Sequence, residues 1–191
     1  MARLDDEEYE EIKNEVIHLI TYYNIKCMPI SAFELATKMG IKLIPYSSLT
    51  EEIKQLFLKI SSDGFSYINY KRMQEAIYYN DEIPYERMNM TILHEIGHIA
   101  LGHKINFSCN DIEYEKAEIG AKFFAKYAFA PPPLVHKIKP KCPEEIMKVF
   151  DTSYEAACYA FNYYKKWLIQ FNRNGGYQEY ENKLLFHTSK G

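Results

Sequence analysis

Residues 91–103 read Thr91-Ile-Leu-His-Glu-Ile-Gly-His-Ile-Ala-Leu-Gly-His103. In an α-helix, His94 and His98 of this stretch lie about one turn apart on one face, where two imidazoles can bind one zinc ion. Glu95 then stands beside the metal. Because the backbone holds this carboxylate to one side, we expect it to accept a proton from a metal-bound water and not to act as a third ligand. The stretch therefore predicts the active-site helix of a hydrolytic zinc enzyme.

The residues around the two histidines are apolar, which predicts that the helix is largely buried and that its polar side chains are confined to the metal face. These apolar residues are Leu93, Ile96, Ile99, Ala100 and Leu101. Buried imidazoles need partners, and a metal ion is the obvious one. The alternative is a buried helix whose histidines are hydrogen-bonded to neighbouring carboxylates or carbonyls.

Length, composition and charge favour one cytoplasmic domain. The chain has 191 residues, 47% of them hydrophobic, and we expect a single domain over residues 1–191. A formal net charge of −3 gives no electrostatic argument for nucleic acid or membrane as a partner. No apolar run approaches a membrane span, and the acidic first residues do not resemble a signal peptide. Four widely separated cysteines indicate free thiols in a reducing cytosol: Cys27, Cys109, Cys142 and Cys158.

Hydrophobic periodicity predicts an α+β fold that is mostly helical, with a small sheet of about three strands, antiparallel or mixed. The predicted helices cover residues 5–23, 32–39, 50–60, 85–103, 111–129, 134–139 and 144–150, and a last long helix follows Thr152. The predicted strands cover residues 41–44, 64–69 and 76–80, of which the last two form an antiparallel hairpin. The C-terminal tail, residues 173–191, has no clear period, and we expect it to be flexible or to add an edge strand.

Two pairs of residues have the spacing of a capping box, in which side chains satisfy the first free N–H groups of a helix. Asn110 with Glu113 predicts the start of the helix over residues 111–129. Thr152 with Glu155 predicts the start of the last long helix.

A catalytic zinc site usually has three protein ligands, so one more is required. His103 is one candidate, but it follows His98 by five residues, with a glycine at four. The elongated three-histidine motif instead has its glycine at about three and its histidine at about six. We therefore assign His103 to the helix C-terminus, beside the negative end of the dipole. The better source is the helix predicted over residues 111–129.

This helix offers Glu113, Glu115 and Glu118. Glu118 is preferred, because it shares a face with Ala121 and Ala125, whose small side chains allow a close approach to the helix that carries His94 and His98 (the metal helix). Glu115 is the alternative. As carboxylates of the first turn, Glu113 and Glu115 are more simply explained by solvation and by the positive end of the helix dipole.

Several segments resemble the ImmA/IrrE family of metallo-endopeptidases. Residues 94–103 are similar to its His-Glu-x-Gly-His pattern with a Leu-Gly-His-like continuation. Residues 118–125, Glu-Ile-Gly-Ala-Lys-Phe-Phe-Ala, followed by Pro131, resemble its helix Glu-x-x-Ala-x-x-Phe-Ala that ends in proline. Residues 29–43 look like its helix-to-strand entry, and residues 150–159 like its Phe-x-Val-Ser-x-x-Ala-Ala segment. The resemblance covers most of the chain between residues 10 and 170.

The resemblance implies a zincin-like domain and a zinc peptidase, with His94, His98 and Glu118 as ligands of Zn²⁺ and Glu95 as the general base. It also implies a narrow protein substrate. This substrate is a DNA-binding helix-turn-helix repressor of a mobile element, phage or stress regulon, or an antitoxin-like partner.

One further catalytic residue and two departures follow from the same resemblance. Tyr159 lies off the apolar stripe of its helix, and its family-like position suggests that it faces the cleft and donates a hydrogen bond to the oxyanion. Gly120 stands where many members have a second Glu, and Lys122 where many have Asn. Both departures alter side chains that could orient a ligand.

Two other functions fit parts of the pattern. A DNA-binding regulator could use residues 144–164 as two short helices around a turn, but Tyr154, Glu155, Ala156 and Cys158 stand where base-reading Arg, Asn or Gln would be needed. A zinc-stabilised anti-repressor could use the same metal ligands to sequester its partner without cutting it. The sequence favours the peptidase, with a protein substrate and no direct binding of nucleic acid.

Overall fold

The computed structural model describes residues 2–26, 29–69, 74–103 and 111–188, and within these ranges the chain forms nine α-helices and three β-strands. The helices are α1 Asp6–Tyr22, α2 Ala32–Met39, α3 Glu51–Ile60, α4 Tyr85–Ala100, α5 Asp111–Phe129, α6 Pro132–Ile138, α7 Pro143–Phe150, α8 Tyr154–Asn174 and α9 Glu179–Thr188. The strands are β1 Lys42–Pro45, β2 Gly64–Asn69 and β3 Gln74–Tyr79. The predicted α+β fold is confirmed. None of the described helices is long and apolar enough to span a membrane.

The three strands form one mixed sheet in the order β1-β3-β2. The central strand β3 pairs in parallel with β1 and antiparallel with β2, so that Ile77 stands opposite both Leu43 and Ser66. Ile77 is fully buried, and α4 packs against β2 and β3. The predicted hairpin is therefore confirmed, and β2 is the edge strand beside the metal helix.

The contact between α4 and α5 forms the centre of the helical layer. On α4 the fully buried residues include Ile92, Leu93 and Ile96. Gly97 lies where α5 comes close, because a Cβ added there would stand 3.1 Å from the Phe124 ring. α5 also buries Ala121 and Ala125. Small residues on both helices thus permit the close approach that the sequence predicts.

Asn89 joins α4 to the start of α2. Its buried side chain accepts a hydrogen bond from the Ala32 N–H at 2.8 Å and donates one to the Ile30 carbonyl at 3.0 Å. Ala32 is the first residue of α2, so its N–H has no partner within that helix. The Asn89 amide therefore links the start of α2 to α4, which α2 also contacts by packing.

The prediction of a flexible tail or an edge strand at the C-terminus is wrong, because Glu179–Thr188 forms helix α9. α9 packs against α1 and buries Leu184 and Glu181. The Glu181 carboxylate accepts hydrogen bonds from Trp167 Nε1 at 2.6 Å and from the Gln178 N–H at 2.9 Å. A short helix anchored by a buried carboxylate lacks the apolar repeat that identifies helices in a sequence.

The start of α8 also differs from the prediction. The Ser153 hydroxyl accepts a hydrogen bond from the Ala156 N–H at 3.3 Å, so Ser153, and not Thr152, is the N-cap. Thr152 is instead buried. Three residues singled out in the sequence lie outside the described ranges: Cys27, Cys109 and Asn110. Cys142 and Cys158 are free thiols, as expected.

We expect Asn89→Ala to lower the free energy of unfolding by about 2–4 kcal/mol, because it leaves a buried N–H and a buried carbonyl without partners. Urea denaturation followed by circular dichroism measures the loss. Asn14→Ala is the matched control, since that exposed side chain donates to the Glu10 carbonyl of its own helix. The control should change stability by less than about 0.5 kcal/mol. Equal stability of the two variants would contradict the role given to Asn89.

Candidate metal centre

Three metal-ligating side chains converge between α4 and α5. His94 and His98 come from α4 and Glu118 from α5, and one ligand atom of each lies within 4.8 Å of the others. We call these three residues the ligand group. His98 Nε2 is 3.1 Å from His94 Nε2 and 3.2 Å from Glu118 Oε1. His94 Nε2 is 3.7 Å from Glu118 Oε2. The structure therefore brings together the three residues predicted as ligands, and both imidazoles present Nε2 to the group.

The charges of these groups suit a divalent cation. Burial is the main cause that lowers the pKa of His94 to about 4, and the neighbouring His98 adds to it. The hydrogen bond with His98 is the main cause that lowers the pKa of Glu118 to about 2. At neutral pH His94 is therefore uncharged and Glu118 is ionised, the forms in which these side chains bind metals. Two histidines and one glutamate are a known ligand set of catalytic zinc sites.

Glu95 stands beside this group without belonging to it. Its side chain is buried, and its Oε2 accepts a hydrogen bond from the Ser66 N–H of β2 at 2.8 Å. Burial raises the pKa of Glu95. A buried carboxylate with a raised pKa next to a metal-ligating group is typical of an acid–base catalyst. The position matches the predicted one, while the chemical role of Glu95 stays a prediction.

The ligand group lies in an open cleft of about 820 Å³, which we call the metal cleft. This volume is within the range of ligand-binding clefts. Its apolar lining comes from Ile60, Phe65, Met90 and Ala125, and its cations are Arg87, Lys122 and Lys126. Arg87 is paired with Asp63 at 2.8 Å. Lys122 Nζ lies 3.3 Å from Glu118 Oε2. The cleft thus has an apolar lining near the sheet edge and a basic rim on α5.

Tyr159 is not brought to the ligand group. It lines a different cavity of about 420 Å³, together with residues of α1, α5 and α8. The Lys126 ammonium lies over its ring at 3.9 Å from the centroid, and its ring is parallel to that of Tyr163 at 6.4 Å. Lys126 also lines the metal cleft, whereas Tyr159 does not. Its role as an oxyanion donor stays a prediction.

The other candidate ligands have different partners. The exposed Glu115 Oε2 accepts a hydrogen bond from the Ala2 N–H at 2.8 Å. Glu113 lines a second cavity, of about 440 Å³, and so does His103. His103 Nδ1 lies 3.1 Å from His98 Nδ1, the ring nitrogen that is turned away from the other ligands. None of the three belongs to the ligand group among the described residues.

Sequence reasoning misses two contacts of the site. The bond from Ser66 to Glu95 comes from a backbone N–H, which every residue except proline can offer, so it leaves no signal in the sequence. The contact of His103 with His98 has a signal, namely a histidine five residues after the second ligand with a glycine between them. That pattern was compatible with a simple helix terminus.

We expect His94→Ala, His98→Ala and Glu118→Ala each to weaken zinc binding by more than about 100-fold, because each removes one of three ligand atoms. Competition with a chromophoric chelator measures the affinity. Glu115→Ala, on the same helix as Glu118 but facing Ala2, is the matched control and should bind zinc like the wild type. Wild-type protein that takes up no transition metal, or a Glu115→Ala loss as large as that of Glu118→Ala, would overturn the assignment.

The family comparison agrees with this geometry. The model of the IrrE N-terminal-like domain, Peptidase_M78, matches residues 36–162. These residues include the whole sheet, α4 and α5, and hence the ligand group and Glu95. No curated protein matches the chain. Since the match covers about two thirds of the sequence and contains the complete ligand group, the chain belongs to the ImmA/IrrE family of metallopeptidases.

Proposed function

We propose that the protein is a zinc-dependent endopeptidase of narrow specificity that works in the cytoplasm and hydrolyses a peptide bond in a DNA-binding repressor. The observation that carries the proposal is the buried Glu95 carboxylate, held by the Ser66 N–H next to the ligand group of His94, His98 and Glu118. A site that only stored a metal or stabilised the fold would not need a fourth side chain at this place, a carboxylate that is not a ligand.

In this proposal His94, His98 and Glu118 bind the metal, and Glu95 transfers protons. When bound, a zinc ion polarises the scissile carbonyl and lowers the pKa of a water molecule to about 7. Glu95 takes the proton of the attacking water as its oxygen bonds to the carbonyl carbon. It then returns this proton to the leaving nitrogen as the C–N bond breaks. The Ser66 N–H holds Oε2 of Glu95 and so fixes the orientation of this carboxylate beside the ligand group.

The edge strand β2 supports a polypeptide as the substrate. The Ser66 N–H points at Glu95 and away from β3, so in the antiparallel pair the backbone groups of Gly64, Ser66 and Ile68 face the free edge. Consistent with this pattern, the Gly64 N–H donates to the Ser61 hydroxyl and not to β3. Because the outward N–H groups of Gly64 and Ser66 already have partners, an extended segment of another protein would bond to this edge through its carbonyls. The edge runs along the cleft.

The lining of the cleft supports a narrow choice of segment. Phe65 and Ile60 offer apolar contacts on the side of the sheet, whereas Lys122 and Lys126 place two positive charges one turn apart on α5. A segment with an apolar residue on one side of the scissile bond and an acidic residue on the other would complement both walls. A helix-turn-helix repressor, or an antitoxin-like partner, is the substrate class that the family resemblance implies.

The decisive test is Glu95→Gln, which keeps the size of the side chain but cannot transfer the proton. We expect the variant to fold, to bind zinc like the wild type and to bind the regulator encoded next to its gene, while cleavage of that regulator falls by at least about 100-fold. Co-expression followed by an immunoblot and mass spectrometry of the regulator measures cleavage. Glu86→Gln, on the same helix but outside the cleft, is the control and should cleave normally.

Two results would contradict the proposal. Equal cleavage by wild type and Glu95→Gln would exclude Glu95 as the base. Binding of the regulator without any cleavage by the wild type would instead favour the anti-repressor that sequesters its partner.

The predicted role of Tyr159 requires its hydroxyl, whereas its contact with Lys126 requires only its ring. Tyr159→Phe separates the two. If the hydroxyl donates to the oxyanion, kcat for regulator cleavage falls by about 100-fold or more at unchanged zinc affinity. Tyr154→Phe, an exposed tyrosine on the same helix, is the matched control. Wild-type turnover by Tyr159→Phe would contradict the catalytic role.

A further inference from the structure

His98 uses both nitrogens of its ring. Nε2 faces His94 and Glu118, whereas Nδ1 lies 3.1 Å from Nδ1 of His103. The two rings meet edge to face, with centroids 5.2 Å apart. His98 is only 3% exposed, so its Nδ1 needs a partner within the protein. His103 is the partner that the fold provides.

The ligand role of His98 fixes the protons of both rings. A metal requires the lone pair on His98 Nε2, and a neutral imidazole then carries its proton on Nδ1. His98 Nδ1–H is therefore the donor and His103 Nδ1 the acceptor. The proton of a neutral His103 must accordingly sit on Nε2. Any rotation or tautomer change of His103 that removes the Nδ1 lone pair would leave a buried N–H of His98 unsatisfied.

The end of α4 places His103 against His98. Gly102 adopts a left-handed conformation with φ of 65°, and its N–H donates to the Ile99 carbonyl. The His103 N–H donates to the carbonyl of His98 at 2.9 Å. These two bonds form a Schellman motif, which reverses the chain at the helix C-terminus. His103 thus contacts His98 through its backbone and through its side chain, and the spacing of five residues is a requirement of this geometry.

Gly120 on α5 leaves the space that the His103 ring occupies. A Cβ at this position would stand 3.3 Å from His103 Cε1 and 3.6 Å from its Nε2. Gly120 follows Glu118 by two residues, so a single turn of α5 supplies one ligand and the room for the ring that orients another. A larger side chain here would push the imidazole out of place.

We propose that His103 is a positioning residue of the metal centre, which fixes the tautomer and the ring orientation of His98, and that Gly120 is required for its placement. The inference rests on the metal site of the proposed function but not on peptidase activity. Partners of this kind usually change metal affinity by about 10–100-fold.

The experiment compares zinc affinities of purified variants by competition with a chromophoric chelator. His103→Phe keeps a planar ring but removes the acceptor, and we expect a loss of about 10–100-fold. His103→Asn places a carbonyl oxygen near the former Nδ1 and should recover most of that loss. Gly120→Ala should weaken binding in the same direction, because it displaces the ring. His136→Phe is the matched control, since His136 bonds to Tyr164 away from the metal cleft.

Two further measurements separate positioning from folding. Visible spectra of the Co²⁺-substituted proteins report ligand geometry, and they should change in His103→Phe but not in His136→Phe. Thermal unfolding of the metal-free proteins shows whether a variant is folded, and Gly120→Ala replaces His103→Phe should the latter be unfolded.

Zinc affinity of His103→Phe equal to that of the wild type would overturn the proposal. An affinity of His103→Asn as low as that of His103→Phe would also overturn it, because ring packing and not the hydrogen bond would then matter. A wild type that binds zinc but cleaves no regulator leaves this inference standing and contradicts only the proposed function.

Discussion

The metal centre depends on how closely α4 and α5 pack. His94 and His98 are carried by α4 and Glu118 by α5, so the distance between the two helix axes sets whether three ligand atoms can meet. Gly97 opposite Phe124 sets that distance, because a methyl group at residue 97 would already contact the ring at 3.1 Å. Packed interiors respond to such an addition by moving side chains or backbone. Gly97 is therefore required for the geometry of the site, although it is not a ligand.

The site also resolves a conflict between burial and charge. Burial disfavours the charged form of a carboxylate, which is why the pKa of Glu95 is raised, whereas the ionised Glu118 is stabilised by its hydrogen bond with His98. The pKa values of these two carboxylates are thus shifted in opposite directions. The Ser66 N–H of edge strand β2 opposes this difference, because a hydrogen bond to the ionised carboxylate lowers the pKa of Glu95. The outward carbonyls of β2 can accept hydrogen bonds from a polypeptide along the cleft, whereas the Gly64 N–H is already bonded to the Ser61 hydroxyl.

The parts of the site that could be predicted are those that depend on spacing within one helix. His94, Glu95 and His98 follow from the four-residue period, and Glu118 from small residues on its own helical face. Contacts that depend on how separate elements pack could not be predicted. A helical period shows which face Tyr159 occupies but not which neighbour covers that face, and the structure puts Lys126 there.

The same limit explains the errors outside the site. Helix α9 was not predicted because one of its buried positions is occupied by a carboxylate, Glu181. An apolar residue there would have extended the helical pattern of apolar residues by which a helix is recognised in a sequence. The cap of α8 was misplaced by one residue because Thr152 with Glu155 has the spacing of a capping box, whereas Ser153 caps α8 without an acidic partner three residues on. The antiparallel pairing of β2 with β3, by contrast, was predicted, because two short runs with strand propensity follow each other closely in the sequence.

Helix α1 lies outside the matched residues 36–162, yet it supports the helix that carries Glu118. Tyr9 packs edge to face on Phe123 of α5 with centroids 4.7 Å apart, and α1 buries an apolar stripe that includes Ile12, Val16 and Ile17. The ion pair between Glu8 and Lys116 is half-exposed and contributes little by comparison. α9 in turn covers α1. A fragment of residues 36–162 would contain every candidate site residue and still expose one side of α5, so the unit that holds the metal geometry is larger than the matched domain.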